Sequence, residues 1–242
     1  MNESGKGSDD AGDPSAKKCR RLRWFSGMLS PEEAATGMNA AGRNAERLAR
    51  DAKRMLESGS FATAAALAIL AVEESGKVSI LRGLSSASNE KQRRNLWKDY
   101  RSHTSKNTGW ILPELAAKGA RTLEELRPAT DRDGEHTFTL DNLKQLSLYT
   151  DCLGAGNWAE PERIVDRTLA QALVATADVL ARSKVVTVEE MEIWKKHMVP
   201  VQGGSLETMK GALRSWYLEM RRAGLWEADM ATVEEFIFGG EA

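Results

Sequence analysis

Cysteine is nearly absent from this chain: Cys19 and Cys152 are the two found in 242 residues. They form neither a disulfide framework nor a metal-ligand spacing, and a reducing cytoplasm is the expected compartment. No apolar run reaches the roughly 18 residues that a membrane-spanning helix needs, so no membrane contact is expected. The opening stretch, MNESGKGSDDAGDPSAKKCRRLR, lacks the apolar segment of a secretory signal. A net charge of −1 leaves no global field to attract nucleic acid or acidic lipid, so any such binding must come from a local patch. Alternating, β-branched segments are scarce. There is no internal repeat, Walker loop, GxGxxG turn, HExxH helix or nucleophile elbow. No cofactor is expected, and no spacing of Asp, Glu and His demands a metal.

What the chain does have is helix signals. Ser30-Pro31-Glu32-Glu33 combines a cap, a proline at the first helical position and a capping-box glutamate. The helix it opens should run to about Glu57, where Ser58-Gly59 stops it. Ser60 should cap a second helix ending at Gly83, and the short connection makes the two antiparallel neighbours. A third helix is expected over Asn89 to Lys106, a short one over Leu140 to Tyr149, and a long one from Pro161 to about Ser183. Trp110 to Leu126 reads as broken helical pieces, while Pro128 to Phe138 and Asp151 to Glu160 read as loops. Thr187-Val188-Glu189-Glu190 is a second capping box, and Ser205 to Arg222 and Thr232 to Phe238 complete the pattern. The expected class is all-α, an antiparallel helical bundle with additional C-terminal helices. Residues 1–25 should be a disordered tail, 30–185 the bundle and 186–242 a helical extension. The tail's Lys17, Lys18, Arg20, Arg21 and Arg23 suit either phosphate contact or plain solvation.

Charge inside the second helix is the informative anomaly. In FATAAALAILAVEESGKVSILR (61–82) the apolar stripe runs through Leu67, Leu70, Ala71, Val78 and Leu81. At about 100° per residue, Glu74 falls within that stripe, Lys77 on its edge and Glu73 further round. An unpaired carboxylate there would cost several kcal/mol, roughly, so Glu74 should pair inside the bundle or face a cleft. Glu73 is expected to form an ordinary pair with Lys77. The third helix, KQRRNLWKDYRSHTSK, sets Lys91, Arg93, Arg94, Lys98, Arg101 and Lys106 against one acid, Asp99, with Trp97 and Tyr100 interleaved. That pattern suits RNA backbone and stacked bases, and it equally suits an amphipathic helix with a solvated basic face. His103 lies at the edge of the apolar side and could move a proton near neutral pH. His136 and His197 carry no such placement. Lys144, Tyr149 and Asp151 form a second group.

Three segments in order, AAALAILAVEESGK (64–77), WKDYRSHTSK (97–106) and LKQLSLYTD followed by WAEP (143–161), resemble the AbiV-type abortive infection proteins of the HEPN superfamily. The resemblance covers roughly residues 35–185. It implies a HEPN-like helical bundle and bacterial antiphage defence in which the infected cell halts translation. Many HEPN relatives are metal-independent endoribonuclease toxins that work as homodimers through an Arg-x(4–6)-His motif. Here His103 matches the histidine, and Lys98 stands nearest to the arginine's place, giving Lys-x4-His. By this resemblance His103 would transfer the proton. Lys98, Arg101 and Lys106 would hold the phosphate, and Glu74 would orient the imidazole or pair with Lys77 or Arg101. Lys77, Arg94, Lys144 and Tyr149 complete the expected RNA-binding set. RNA or the translation machinery, with a phage-encoded activator protein, are the implied partners. The missing arginine keeps a second reading open, a non-enzymatic module that binds a phage or translation protein stoichiometrically.

Overall fold

The computed structural model describes residues 23–240; the basic run Lys17–Arg21 and Cys19 lie outside them. Two long helices form the axis, α1 (Pro31–Glu57) and α2 (Phe61–Ser85). The expected capping box starts α1. Glu33 N–H donates to Ser30 Oγ at 3.1 Å, and Ser30 N–H donates to Glu33 Oε2 at 2.8 Å. Ser60, by contrast, makes no side-chain cap, and α2 runs past Gly83 to Ser85. The helices are antiparallel: Gly37, near the start of α1, lies against Leu81, near the end of α2. Alanine makes this pairing tight. Ala41, Ala45, Ala49 and Ala52 of α1 and Ala64, Ala65, Ala68 and Ala71 of α2 are all buried, and small side chains let helix axes approach closely.

Six shorter helices follow: α3 (Glu90–Arg101), α4 (His103–Lys106), α5 (Leu112–Ala117), α6 (Glu135–Leu148), α7 (Pro161–Ile164) and α8 (Arg167–Leu180). All but α5 pack on α2. A two-stranded antiparallel hairpin, β1 (Asp151–Leu153) and β2 (Asn157–Ala159), replaces the expected loop. Gly154 and Gly156 turn it with φ of 53° and 94°, where only glycine is unstrained. The expected long helix from Pro161 is split because Asp166 leaves helical geometry to cap α8, accepting from Leu169 N–H at 2.8 Å.

One apolar cluster joins the middle of the α1–α2 pair to α8, Leu140 and Val165. A second joins its far end to Trp97, Val186 and Met191. Between them α2 presents its polar stretch, Glu73 to Lys77. The C-terminal helices α9 (Val188–Met198), α10 (Leu206–Arg222) and α11 (Met230–Phe238) follow. Asn39 brackets Val186 with two 2.8 Å hydrogen bonds, and Arg82 of α2 pairs with the buried Glu190 of α9 at 2.9 Å. Thr187 caps α9 as expected, but Glu190 is turned to Arg82 rather than back to the cap. Ile193, Trp216 and Met220 form a third small core with Trp194, Tyr217 and Trp226.

Gly76 is where this packing is tightest. A Cβ there would lie 2.8 Å from the Lys106 carbonyl carbon and closer still to its oxygen, so the backbone of α4 rests directly on α2. Gly76→Ala should lower stability by about 1–3 kcal/mol through overpacking, although alanine is the better helix former by about 1 kcal/mol. Urea unfolding of the two proteins tests this, and an unchanged or raised midpoint would mean that α4 is not seated there.

Candidate functional site

The expected single helix over Asn89–Lys106 breaks at Ser102. Ser102 N–H closes α3 on the Lys98 and Asp99 carbonyls, and its backbone then turns extended, with ψ of 134°. Its hydroxyl accepts from Ser105 N–H at 3.3 Å and caps α4. Serine bonds its own backbone readily, so a helix that reads as continuous can be re-aimed there. The break makes His103 the first residue of α4, facing α2.

The carboxylate that meets it is Glu73, not Glu74. His103 Nδ1 lies 2.7 Å from Glu73 Oε2. Lys144 Nζ donates to Glu73 Oε1 at 2.7 Å and to Asp141 Oδ1 at 2.6 Å. Lys106 Nζ stands 3.4 Å from Glu73 Oε2. Glu73, Lys106 and Lys144 are all buried, while the His103 side chain is 52% exposed. Glu74 instead pairs with Lys77 at 2.5 Å, both half-buried, so the expected Glu73–Lys77 pair does not form. The wheel argument failed because α2 has no single buried stripe. It is covered by α1 on one side and by α4, α6 and α8 on others. Of the residues that marked the stripe, Ala71 and Leu81 are buried, but Leu67, Leu70 and Val78 are only partly so.

Burial alone would push the Glu73 carboxyl up. Hydrogen bonds from Lys144 and His103 and the charges of Lys106 and Lys144 outweigh it, so its pKa lies below the ordinary value. An ionised carboxylate can only accept, so Nδ1 of His103 must carry the hydrogen. The neutral ring then has its lone pair on Nε2, at the opposite side of a half-exposed side chain.

The other expected residues are scattered. Arg101 lies over the Trp97 ring at 5.6 Å and donates to the Phe25 carbonyl at 2.8 Å. Lys98 and Arg94 are exposed on α3, Arg94 loosely beside Glu90 at 3.8 Å. Lys77 stands 5.3 Å above the Tyr100 ring. Tyr149, 60% exposed, follows the end of α6, away from the buried Lys144. Lys106 and Lys144 do converge with His103, but they are spent on Glu73. His136 clamps the Thr108 carbonyl and His197 the Glu219 carboxylate. Asp141 was missed, and so was the burial of Glu73. Thr137, Leu140, Lys144 and Ser147 share the buried side of α6, so a lysine at helical spacing from Leu140 was the available signal for a buried anion.

Glu73, His103 and Asp141 offer donor atoms within 4.8 Å of one another, a spacing compatible with a metal ion. Lys106 and Lys144 contact these same carboxylates, so a cation would have to displace two ammonium groups. The residues fit an internally neutralised ion network better than a metal centre.

A family model described as AbiV, HEPN_AbiV, matches residues 33–182. No curated protein and no solved structure matches the chain.

Because the folded-state pKa of Glu73 is depressed, its stabilising contribution is complete above the ordinary value of 4.5 and is lost as pH falls through the lower folded value. Glu73→Gln should cost about 3–5 kcal/mol at neutral pH by leaving the buried Lys106 ammonium uncompensated and Lys144 with Asp141 alone. It should also flatten the loss of stability on acidification below pH 4.5. Urea midpoints measured across that window check both, and identical pH slopes for the two proteins would remove Glu73 from the account.

Proposed function

The chain belongs to the HEPN_AbiV family, whose match spans well over half of it, and on that premise we propose that it is an abortive-infection effector that cleaves RNA through His103. The observation that carries this reading is the 2.7 Å contact between His103 Nδ1 and a buried, ionised Glu73. A carboxylate in that place fixes the tautomer and aims the basic Nε2 outward, as a general base requires.

In the reaction, Nε2 takes the proton of a ribose 2′-hydroxyl. The 2′-oxygen attacks the adjacent phosphorus, the 5′-oxygen leaves, and a 2′,3′-cyclic phosphate remains. DNA lacks that internal nucleophile and is resistant. Glu73 is a positioning residue: it acts through the imidazole, which it holds at Nδ1. Lys91, Arg94 and Lys98 are exposed cations on α3 that could meet phosphate, since Lys106 and Lys144 are buried on Glu73. Pairing of two copies would supply a second His103 to act as the acid for the 5′-oxygen.

A second reading rests on those same buried lysines. Among the described residues, a free phosphate-stabilising cation beside the imidazole is missing, because Lys106 and Lys144 are bound to Glu73 and Arg101 is held against Trp97 and Phe25. A protein that stops growth by binding a phage or translation component stoichiometrically has no need of one.

The purified protein should cleave RNA, not DNA, in the presence of EDTA. His103→Ala should slow cleavage by about 10²–10⁴-fold while leaving the circular dichroism spectrum intact. In cells, the same substitution should abolish protection in a phage plaque assay, with total RNA remaining whole. Undiminished protection by His103→Ala would instead establish stoichiometric binding.

A further inference from the structure

A second concave site lies where the C-terminal helices meet α2, apart from the His103 dyad. It is a cleft of about 360 Å³, lined by Ser75, Val78 and Arg82 of α2, by residues 180–184 after α8, and by Trp216, Tyr217 and Trp226. That volume is in the range of small-molecule sites. Its charged lining is Arg82, Arg182 and Lys184 against one acid, Glu190, which is already bonded to Arg82. Arg182 and Lys184 are exposed and border the cleft. Arg182 pairs with the exposed Asp178, and Lys184, whose Nζ donates to the Leu225 carbonyl, stands 5.4 Å from the centre of the Trp226 ring.

Three of the lining residues carry buried donors with no acceptor among the described residues: Arg82 Nε, Trp216 Nε1 and Trp226 Nε1. No lining residue carries an orphaned acceptor. Orphaned buried donors are costly and uncommon, and all the unmet demand here has one sign. It calls for an acceptor-rich, anionic group. The walls call for a flat one. Trp216 and Tyr217 meet edge to ring at 4.6 Å, Tyr217 and Trp226 meet tilted at 5.2 Å, and indole and phenol faces hold planar rings well.

We infer that this cleft binds a mononucleotide, its base against Tyr217 and Trp226 and its phosphate on Arg182 and Lys184. The orphaned donors lie under the cleft surface, so small rotations of Trp216, Trp226 and Arg82 would present them to the ligand's oxygens. The inference does not rest on ribonuclease activity. The site joins α9 and α10 to the helix that carries Glu73, so an occupant would tighten the attachment of the C-terminal helices to α2.

The test is calorimetric titration of the full chain with AMP, GMP, CMP and UMP, with adenosine and inorganic phosphate as separate arms. Saturable binding of at least one nucleotide is expected. Arg182→Gln/Lys184→Gln should weaken it about tenfold or more, and His103→Ala should leave it unchanged. Photolabelling with 8-azido-AMP should mark residues 180–186 or 216–226, a readout independent of any variant's folding. Any of four results would overturn the assignment: no nucleotide binding, equal binding of phosphate alone, labelling confined to other segments, or loss of binding in His103→Ala.

Discussion

A buried carboxylate organises the centre of this molecule. Glu73 sits on a helix covered from several sides, where a lone charge would be untenable, and it is held there by ammonium groups from α4 and α6 and by an imidazole from α4. Three segments distant in sequence therefore converge on one pair of oxygens. The arrangement is cooperative in the sense that each partner is tolerable only in the presence of the others. Burying Lys106 without Glu73, or Glu73 without its two lysines, would leave an uncompensated charge. The same network that closes the bundle also orients His103.

Two small residues make that convergence geometrically feasible. Gly76 removes the Cβ that would hold α4 off α2. Ser102 interrupts the preceding helix and starts α4 in a new direction. Without the first, the α4 backbone could not reach α2. Without the second, His103 would continue along the axis of α3. The polar stretch of α2 also falls between two apolar clusters, so the hydrophobic packing on either side holds the site in register.

Much of this was legible in the chain itself. The capping box at Ser30, the antiparallel pairing of α1 with α2 and the all-α class follow from local rules that packing does not overturn. The AbiV resemblance, carried by AAALAILAVEESGK and WKDYRSHTSK, is now matched by the family to which the chain belongs. That an acid of α2 and His103 would share an interhelical pocket among cations was also readable. Which acid was not. Adjacent residues on a helix differ by about 100°, and a wheel drawn from Leu67, Leu70, Ala71, Val78 and Leu81 assumes one buried side, whereas α2 has several. The C-terminal half of the site, Asp141 with Lys144, was half seen: Lys144 was named, but as a solvent-facing RNA contact rather than a buried counter-ion.

Composition, capping residues and helical spacing thus determined by themselves that the chain is a helical bundle and that α2 carries a charge needing a partner, because these depend on neighbours a few residues apart. The tertiary structure alone decided that Glu73 rather than Glu74 is that charge, that Lys106 and Lys144 turn inward, and that Arg101 is bound to Phe25 and Trp97. Those outcomes depend on which faces of a helix other elements cover, and on contacts between residues 30 to 76 positions apart.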